Sequence, residues 1–454
     1  MTLPNGGSLV FREGEFDRLR KHLLESAPLE AACFVFAREV ITPRHNVRLL
    51  VVGAEYASDE DYLNRSPVAA ELTPSCVARA AKKARSERLS VFLTHSHPTV
   101  SRVEPSGVDR DGERIWVEPM RRRANNVSVG RLIVGPYDAH AALLDGRGGE
   151  ARLSIVSVGN FVRFESSESV HRNEALRQIH DRQARAFGEA GQRVLSSLRI
   201  GIVGVGGTGS IVAEQLAHLG VGSITVIDDD TIEATNLNRV VGARLEDVGV
   251  LKADVAAQAI QRINSGIAVR GQAANIQDAS ALRVLLDCDL FFCCTDSEGS
   301  RAVLNQFAYQ YWVPGIDLGV VIRVFDGRIS RIAGRVQMLT PGQACLVCAD
   351  ILDPEQVRRD LLTDEQRSAD RYVVGDDVPQ PAVISINGIA SSLAVTMMLS
   401  VFTGLPFDSR YALLRLESGL VSRAEAVPEE SCPVCSSLGA YGRGDSFPPP
   451  GRLA

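Results

Sequence analysis

The second half of the chain alternates short apolar runs, typical of buried strands, with stretches whose apolar residues recur at helical spacing. Arg199–Val203 and Ser223–Ile227 are strand-like runs, and Ile211–Leu219 between them has the helical spacing. A second helix is predicted at Lys252–Ile263 and a further strand at Leu290–Cys294. This order predicts an α/β, Rossmann-like domain with a mixed, mostly parallel sheet.

The first half of the chain is richer in strand-like runs and predicts a separate α+β domain. Helices are expected at Phe11–Ser26, which Pro28 ends, and from Pro74 onward after the cap residue Thr73. Strands are predicted at Leu29–Phe36, Val47–Val52, Val91–Thr94, Val127–Val134, Ala139–Leu144 and Ala151–Val156.

Length and composition limit the class of protein. A chain of 454 residues allows two or more domains, and its formal charge of −6 gives no reason to expect a nucleic-acid partner. No basic and apolar leader opens the sequence, so we expect a cytoplasmic protein whose nine cysteines stay reduced. The most apolar segment, Ala382–Leu405, is broken by polar residues, so we interpret it as a buried or interface helix and not as a membrane span.

A glycine-rich loop joins the strand Arg199–Val203 to its helix. Gly204, Gly206 and Gly209 stand in the GxGxxG pattern, in which glycines permit a tight turn, close approach of a phosphate and helix–strand packing. Asp228, at the end of the next strand, is placed to accept hydrogen bonds from a ribose. The glycine spacing alone leaves a dehydrogenase-type dinucleotide site open.

Two cations farther along the chain favour a triphosphate. Arg239 ends the run DDDTIEATNLNR, and Lys252 follows thirteen residues later. With these residues the block resembles the adenylating enzymes of the ubiquitin-activating, MoeB and ThiF superfamily. The resemblance implies an ATP site formed by Gly204, Gly206, Gly207, Gly209, Asp228, Asp230, Asn236, Arg239, Lys252 and Asp296.

The same resemblance implies a reaction and partners. Asp296, after the strand Leu290–Cys294, occupies the position of the carboxylate that holds Mg²⁺ and supports adenylation, although a plain helix cap is the alternative. The substrate would be the C-terminus of a ubiquitin-like or sulfur-carrier protein, and an E2-like or sulfur-donor protein would follow in the pathway. Arg182 resembles an arginine that reaches the partner subunit's ATP in a homodimer, or it is a solvated helix residue.

Two CxxC pairs predict a structural zinc site. Four thiolates form a closed tetrahedral site, and MoeB-like enzymes carry the same pairing. A redox role is the alternative. The ligands would be Cys345, Cys348, Cys432 and Cys435.

A histidine pair in the first half predicts a second zinc ion. His95 and His97 alternate at the end of a strand, and Asp109 could return from the following loop as third ligand, leaving a position for water. With Ser106, which could donate to an oxyanion, the set resembles the JAMM (MPN-domain) metalloprotease signature. Glu30 matches that family's acid–base glutamate. The alternatives are a pair of partly buried polar side chains and a domain that only binds.

Cys33 and Ala37 stand where that family usually has glycines, and the loop between His97 and Ser106 is one residue longer than its commonest spacing.

The predicted organisation is therefore a fusion of two enzymes. Residues 1–160 form the zinc peptidase domain, 161–195 a helical linker, 196–436 the adenylating domain and 437–454 a disordered tail. The peptidase would process or remove the modifier that the other domain activates, and sulfur transfer for cofactor biosynthesis is the alternative. Residues 349–431 contain no cysteine, so we expect no thioester on this chain.

Overall fold

Two units, each built on an eight-stranded sheet, make up the chain. The computed structural model describes residues 3–165, 179–363, 366, 381–448 and 450–451. The first unit comprises Met1–Ser169 with Gly442–Phe447, and the second comprises Val170–Tyr441 with Pro448–Ala454.

The first unit is a curled sheet with three α-helices among its described residues. Strand order is β1-β3-β2-β6-β7-β8-β9-β10, and β1 also pairs with β9, so the sheet closes on itself. Its strands are β1 (Gly7–Arg12), β2 (Ala32–Ile41), β3 (Val47–Tyr56), β4 (Tyr62–Ser66), β5 (Ala69–Leu72), β6 (Ser90–Ser96), β7 (Val129–Val134), β8 (Ala139–Leu144), β9 (Glu150–Val158) and β10 (Val162–Phe164). Strands β4 and β5 form a separate hairpin. The helices are α1 (Glu15–Leu24), α2 (Pro74–Glu87) and α3 (Gly107–Arg123).

Strand β2 is buried on both faces, which explains its unbroken apolar sequence. Cys33, Val35 and Ala37 point into one core, which α1 covers. Phe34 and Phe36 point into a second core, which α2 and α3 cover. Cys33 and Ala37, which stand where the JAMM family usually has glycines, thus pack as core residues.

Several predicted elements of this unit were misplaced. Phe11 lies in β1 and not in the first helix, because Gly14, with φ of 75°, separates the strand from α1. Helix α3 was not predicted, and Asp109 lies in its first turn and not in a loop, since Gly107, Gly112 and Pro119 obscure the helical pattern. Strands β1, β4, β5 and β10 were also missed.

The second unit has the Rossmann-like α/β arrangement that was predicted. Its sheet order is β13-β12-β11-β14-β15-β16-β17-β18, parallel from β13 to β15 and antiparallel beyond. The strands are β11 (Arg199–Val203), β12 (Ser223–Ile227), β13 (Ala268–Gln272), β14 (Leu290–Cys293), β15 (Gly315–Phe325), β16 (Arg328–Leu339), β17 (Tyr411–Arg415) and β18 (Leu420–Arg423). The helices are α4 (Asp181–Ser197), α5 (Gly209–Leu219), α6 (Lys252–Ile263), α7 (Ala279–Leu282), α8 (Glu298–Tyr311), α9 (Pro354–Leu361) and α10 (Ile384–Thr403).

Helix α10 corresponds to the most apolar segment of the sequence. Its length and mean hydropathy of 1.6 would allow it to cross a membrane, but half of that stretch is buried within the unit. It packs against α5, β15 and β16. These contacts are those of a core helix, as the polar interruptions predicted.

The predicted linker and tail differ from the structure. The linker contains β10 and most of α4, and its residues 166–178 lie outside the described residues. The prediction of a disordered tail is wrong for residues 438–448. There, Gly444–Ser446 forms a 3₁₀ turn, and the Arg38 Nη1 donates to the Ser446 Oγ over 3.2 Å. Because Gly444 has no side chain, this turn can lie close to Val40. A Cβ atom on residue 444 would be only 2.8 Å from the Val40 Cγ2 methyl group.

Candidate functional site

The glycine loop lies at the carboxyl edge of the parallel strands in the second unit. Gly204 has φ of 83°, which favours glycine, and a Cβ atom on Gly209 would overlap the Gly204 carbonyl oxygen. A Cβ atom on Gly206 would meet nothing within 4 Å. The first and last glycines therefore shape the turn, while Gly206 borders open space that a phosphate can approach.

Asp228 fixes the loop to the neighbouring strand. Its carboxylate accepts the Val205 N–H over 2.7 Å and the Asp230 N–H over 3.0 Å. Burial raises the pKa of this carboxyl, and the two backbone hydrogen bonds oppose that shift. The Asp230 side chain pairs instead with the Lys252 Nζ over 2.7 Å.

Arg239 lies against the glycine loop and is supported by a short turn. A Cβ atom on Gly207 would be 3.3 Å from the Arg239 Cδ. The Arg239 Nη1 donates to the Thr235 carbonyl over 2.6 Å. The buried Asn236 accepts the Glu233 N–H over 3.1 Å, so its side chain holds the turn that carries Arg239.

Asp296 follows β14 at the same edge of the sheet and is exposed. The helix-cap alternative for Asp296 is wrong, because the Ser297 Oγ accepts the Ser300 N–H at the start of α8. The Asp360 carboxylate accepts hydrogen bonds from Ser297 and from the Gly299 N–H. The Asp296 carboxylate therefore takes no part in the helix cap and could serve as an oxygen ligand for a cation.

Helix α10 adds residues that no sequence pattern indicated. The Ser391 Oγ donates to the Thr208 carbonyl over 3.0 Å. Asn387, one turn earlier, lies against Gly207. About 180 residues separate this helix from the loop, so spacing within the sequence offered no signal for either contact.

Arg182 lies far from the loop within its own unit. It is exposed on α4, and the neighbouring Gln183 Nε2 donates to the carbonyl of His218, at the opposite end of α5 from the glycines. Within its own unit, Arg182 therefore lies toward the end of α5 away from the glycine loop.

The four predicted cysteines converge in the second unit. The Sγ atoms of Cys345 and Cys432 are 3.5 Å apart, as are those of Cys348 and Cys435, and all four lie within 4.8 Å of one another. A tetrahedral Zn²⁺ with bonds of ~2.3 Å needs sulfur–sulfur separations of ~3.8 Å, which this group fits. The buried Asn305 accepts the Leu346 N–H and attaches the first knuckle to α8.

The histidine cluster of the first unit also converges. The Nε2 atoms of His95 and His97 are 3.2 Å apart, and the Asp109 carboxylate oxygens lie 3.0 and 3.4 Å from them. Zinc bonds of ~2.0–2.1 Å in tetrahedral geometry require ligand atoms ~3.3 Å apart. The three side chains come close to this spacing, with a different Asp109 oxygen facing each histidine. The Glu30 carboxylate lies 3.7 Å from the His97 Nε2 and also groups with the two histidines as a possible metal ligand.

Asp109 is positioned by a helix start and not by a loop. Ser106 caps α3, since its Oγ accepts the Asp109 N–H over 3.1 Å and its N–H donates to the Asp109 carboxylate over 2.6 Å. Burial acts to raise the pKa of Asp109, but hydrogen bonds from His95, His97 and Ser106 outweigh it and lower that pKa. Ser106 therefore orients the Asp109 carboxylate, whereas the sequence predicted it as a donor to an oxyanion.

Glu30 is held by the β4–β5 hairpin and by the strand of the histidines. Its N–H donates to the Ser66 carbonyl over 2.9 Å, and the Arg65 Nε donates to its carbonyl over 2.8 Å. The Ser96 Oγ, between the two histidines, accepts the Ala31 N–H over 2.9 Å. Burial raises the pKa of the Glu30 carboxyl, as suits a group that exchanges protons.

Comparison with known proteins concerns mainly the second unit. Residues 180–434 match the ThiF family. Over 164 residues the chain is 31% identical to ubiquitin-like modifier-activating enzyme 5 of Oryza sativa subsp. japonica, covering 33% of this chain and 37% of that protein. Over 177 residues it is 32% identical to the molybdopterin-synthase adenylyltransferase of Escherichia coli K12, covering 38% of this chain and 68% of that protein. The crystal structure of E. coli MccB aligns with a TM-score of 0.48 and 22% identity, covering 59% of this chain and 74% of MccB.

Proposed function

The chain belongs to the ThiF family, and on that premise we propose that its second unit is an ATP-dependent adenylyltransferase. The observation that carries the proposal is the convergence at one sheet edge of the glycine loop, Arg239, the Lys252–Asp230 pair and the exposed Asp296. Backbone N–H groups and two cations suit a triphosphate, and a strand-end carboxylate suits the metal that accompanies it.

The proposed reaction transfers AMP to a protein carboxylate. A carboxylate oxygen at the substrate's C-terminus attacks the α-phosphorus of ATP, the bond to the β-phosphate oxygen breaks, and pyrophosphate leaves with those electrons. The glycine-loop N–H groups, Arg239 and Lys252 offset the charge that develops on the phosphates. Mg²⁺, held by Asp296, would supply further charge neutralisation.

The proposed substrate is a ubiquitin-like or sulfur-carrier protein. The names of the two relatives support these classes, one a ubiquitin-like modifier-activating enzyme and the other a molybdopterin-synthase adenylyltransferase. Sulfur transfer for cofactor biosynthesis is the second candidate function, and a further relative, the adenylyltransferase and sulfurtransferase UBA4 of Yarrowia lipolytica, favours it by its name. We also propose a symmetric homodimer, in which the exposed Arg182 would meet the nucleotide of the partner subunit.

For the first unit we propose a zinc peptidase of the JAMM type that acts on the same modifier. Its support is the 3.0–3.4 Å spacing of the His95, His97 and Asp109 ligand atoms, with Glu30 beside them. The bound zinc would lower the pKa of a water molecule to ~7. Glu30 would accept a proton from that water and return it to the leaving amine. A domain that only binds has no need of this arrangement.

Adenylation is tested by ATP–pyrophosphate exchange. Each small protein ending in Gly-Gly that is encoded beside this gene is supplied as substrate, with its diglycine-deleted form as control. We expect exchange with one such protein, and its loss in Asp296→Ala with the melting temperature unchanged. Exchange that persists without the diglycine, or in Asp296→Ala, would contradict the assignment.

The peptidase is tested on the same carrier extended at its C-terminus by a second folded protein. Cleavage after the diglycine is expected, and it should disappear in His95→Ala and after chelation of zinc. Asp296→Ala should cleave normally, which separates the two activities. An extended carrier that stays intact with zinc-loaded protein would remove the peptidase proposal.

A further inference from the structure

Asn387 brings an unexpected side chain to the glycine loop. It lies in the first turn of α10, where its backbone N–H donates to the Val383 carbonyl over 3.0 Å. A Cβ atom on Gly207 would overlap the Asn387 Nδ2. That Cβ atom would also lie 3.3 Å from the Arg239 Cδ. Gly207 therefore lies between the Asn387 carboxamide and an arginine of the proposed ATP site.

In the described part of the chain the Asn387 side chain has no hydrogen-bond partner, although the residue is mostly buried. Asn387 is only 6% exposed, and across residues 3–165, 179–363 and 381–448 no group hydrogen-bonds to its side chain. A primary amide offers two N–H donors and an acceptor, and those of Asn387 are not among the fully buried unpaired atoms of the described residues. They therefore remain open to a ligand that lies on the glycine loop.

The helix that carries Asn387 is fixed against the loop. Ser391 donates to the Thr208 carbonyl over 3.0 Å, and the Gln215 Nε2 of α5 donates to the Ser392 Oγ over 2.8 Å. These bonds hold the first two turns of α10 in register with the loop and with α5. The position of Asn387 is therefore set by its neighbours and does not require a ligand to form.

The surroundings of the carboxamide favour an anion. The N-terminal turns of α5 and α10 both meet the glycine loop, and each contributes the positive end of a helix dipole. Arg239 adds a full positive charge on the other side of Gly207. An amide N–H donor in such a field suits a phosphate oxygen.

We propose that Asn387 is a phosphate-binding residue of the nucleotide site. Its Nδ2 donates to an oxygen of the phosphate chain that lies over Gly206 and Gly207. The inference rests on the proposed binding of ATP by this unit and extends it to a residue of α10. Leucine at this position has the same number and branching of heavy side-chain atoms but could make no such bond.

The test compares ATP with adenosine, which lacks the phosphates. Calorimetric titrations with Mg²⁺ would use the full-length wild type, Asn387→Leu and Asn387→Asp, with Thr396→Ala as the control on the same helix. The Thr396 hydroxyl bonds back to its own helix at the Ser392 carbonyl. We expect Asn387→Leu to bind ATP about tenfold more weakly, the value of one hydrogen bond to a charged group. Asn387→Asp should be weaker still, since its carboxylate repels phosphate, and adenosine binding should not change.

Three results would overturn the inference. The first is wild-type affinity for ATP in Asn387→Leu, and the second is an equal loss for ATP and adenosine, which would assign the residue to packing. The third is a wild type that binds no ATP, which would remove the proposed function as well. Melting temperatures without nucleotide accompany each titration, and if Asn387→Leu fails to fold, the nearly isosteric Asn387→Asp carries the test.

Discussion

Asp317 shows how a single buried charge supports the floor of the proposed nucleotide site. Its side chain is fully buried and accepts hydrogen bonds from Arg301 over 2.5 Å and from Arg335 over 2.7 Å. Burial acts to raise its pKa, but the two guanidinium groups outweigh that effect and lower the pKa. Arg301 also donates to the Thr295 carbonyl, directly before Asp296, so this ion network fixes the segment that carries the proposed magnesium ligand.

Replacing Asp317 by alanine should lower the free energy of unfolding by about 3–5 kcal/mol, because the buried Arg301 and the half-buried Arg335 both lose their partner. Urea unfolding measures the loss. Glu355→Ala is the matched control, since Glu355 also pairs with two arginines but at an exposed position, and little change is expected there. Equal effects of the two substitutions would contradict the account.

Two cysteines near Asp296 are poor candidates for a thioester. Cys293 is fully buried, and burial raises the pKa values of Cys293 and Cys294. A thiol that stays protonated is a weak nucleophile. We therefore predict that the reaction on this chain stops at the adenylate and that another protein's thiol accepts the acyl group.

A non-reducing gel with ATP, Mg²⁺ and the cognate carrier tests this prediction. No thiol-sensitive adduct is expected in the absence of a third protein. An adduct that disappears in Cys293→Ala or Cys294→Ala would refute it, and Cys288→Ala serves as a control for substitution of a buried thiol outside this pair.

At the scale of elements, the start of α3 determines whether the first unit can hold its metal. The capping box joins Ser106 and Asp109 in both directions, so the helix start and the ligand position depend on each other. Helix α2 begins with the same kind of bond, since the Thr73 Oγ1 accepts the Cys76 N–H over 3.3 Å, but it carries no proposed ligand.

Ser106→Ala and Thr73→Ala should each lower the free energy of unfolding by about 1 kcal/mol. Only Ser106→Ala should also weaken zinc binding, measured by competition with a chelator, because only there does the lost cap release a ligand. Ser106→Asp, which can cap a helix equally well, should restore both properties. Unchanged zinc affinity in Ser106→Ala would show that the helix start does not position Asp109.

At the scale of the whole molecule, the two proposed zinc sites should contribute differently to folding. Metal analysis should find two zinc ions per chain, one lost in His95→Ala and the other in Cys345→Ser. A closed thiolate site contributes its binding energy directly to folding, so Cys345→Ser should lower the melting temperature of its unit sharply, whereas His95→Ala should not. Calorimetry measures both, and Cys76→Ser, outside either cluster, should retain two zinc ions. Equal losses of stability would count against the distinction.

The sequence by itself determined what depends on short-range spacing. The bounds of β11, β12 and α6 matched their predictions, because apolar periodicity and glycine positions report directly on local backbone geometry. The two CxxC pairs and the pair His95 and His97 predicted metal-binding clusters for the same reason. In each pair the two donor atoms come from residues only two or three positions apart.

Only the tertiary structure decided which distant segments complete each site. The hairpin that holds Glu30, the cap that turns Asp109 toward the histidines and the helix that places Asn387 on the glycine loop all depend on packing. The family resemblance indicated Glu30, Ser106 and Asp109 as site residues, but not the hairpin and the helix cap that position them, and no pattern in the sequence distinguished Asn387 from a solvated position. Their roles arise from hydrogen bonds and burial between elements up to 180 residues apart, which no local periodicity encodes.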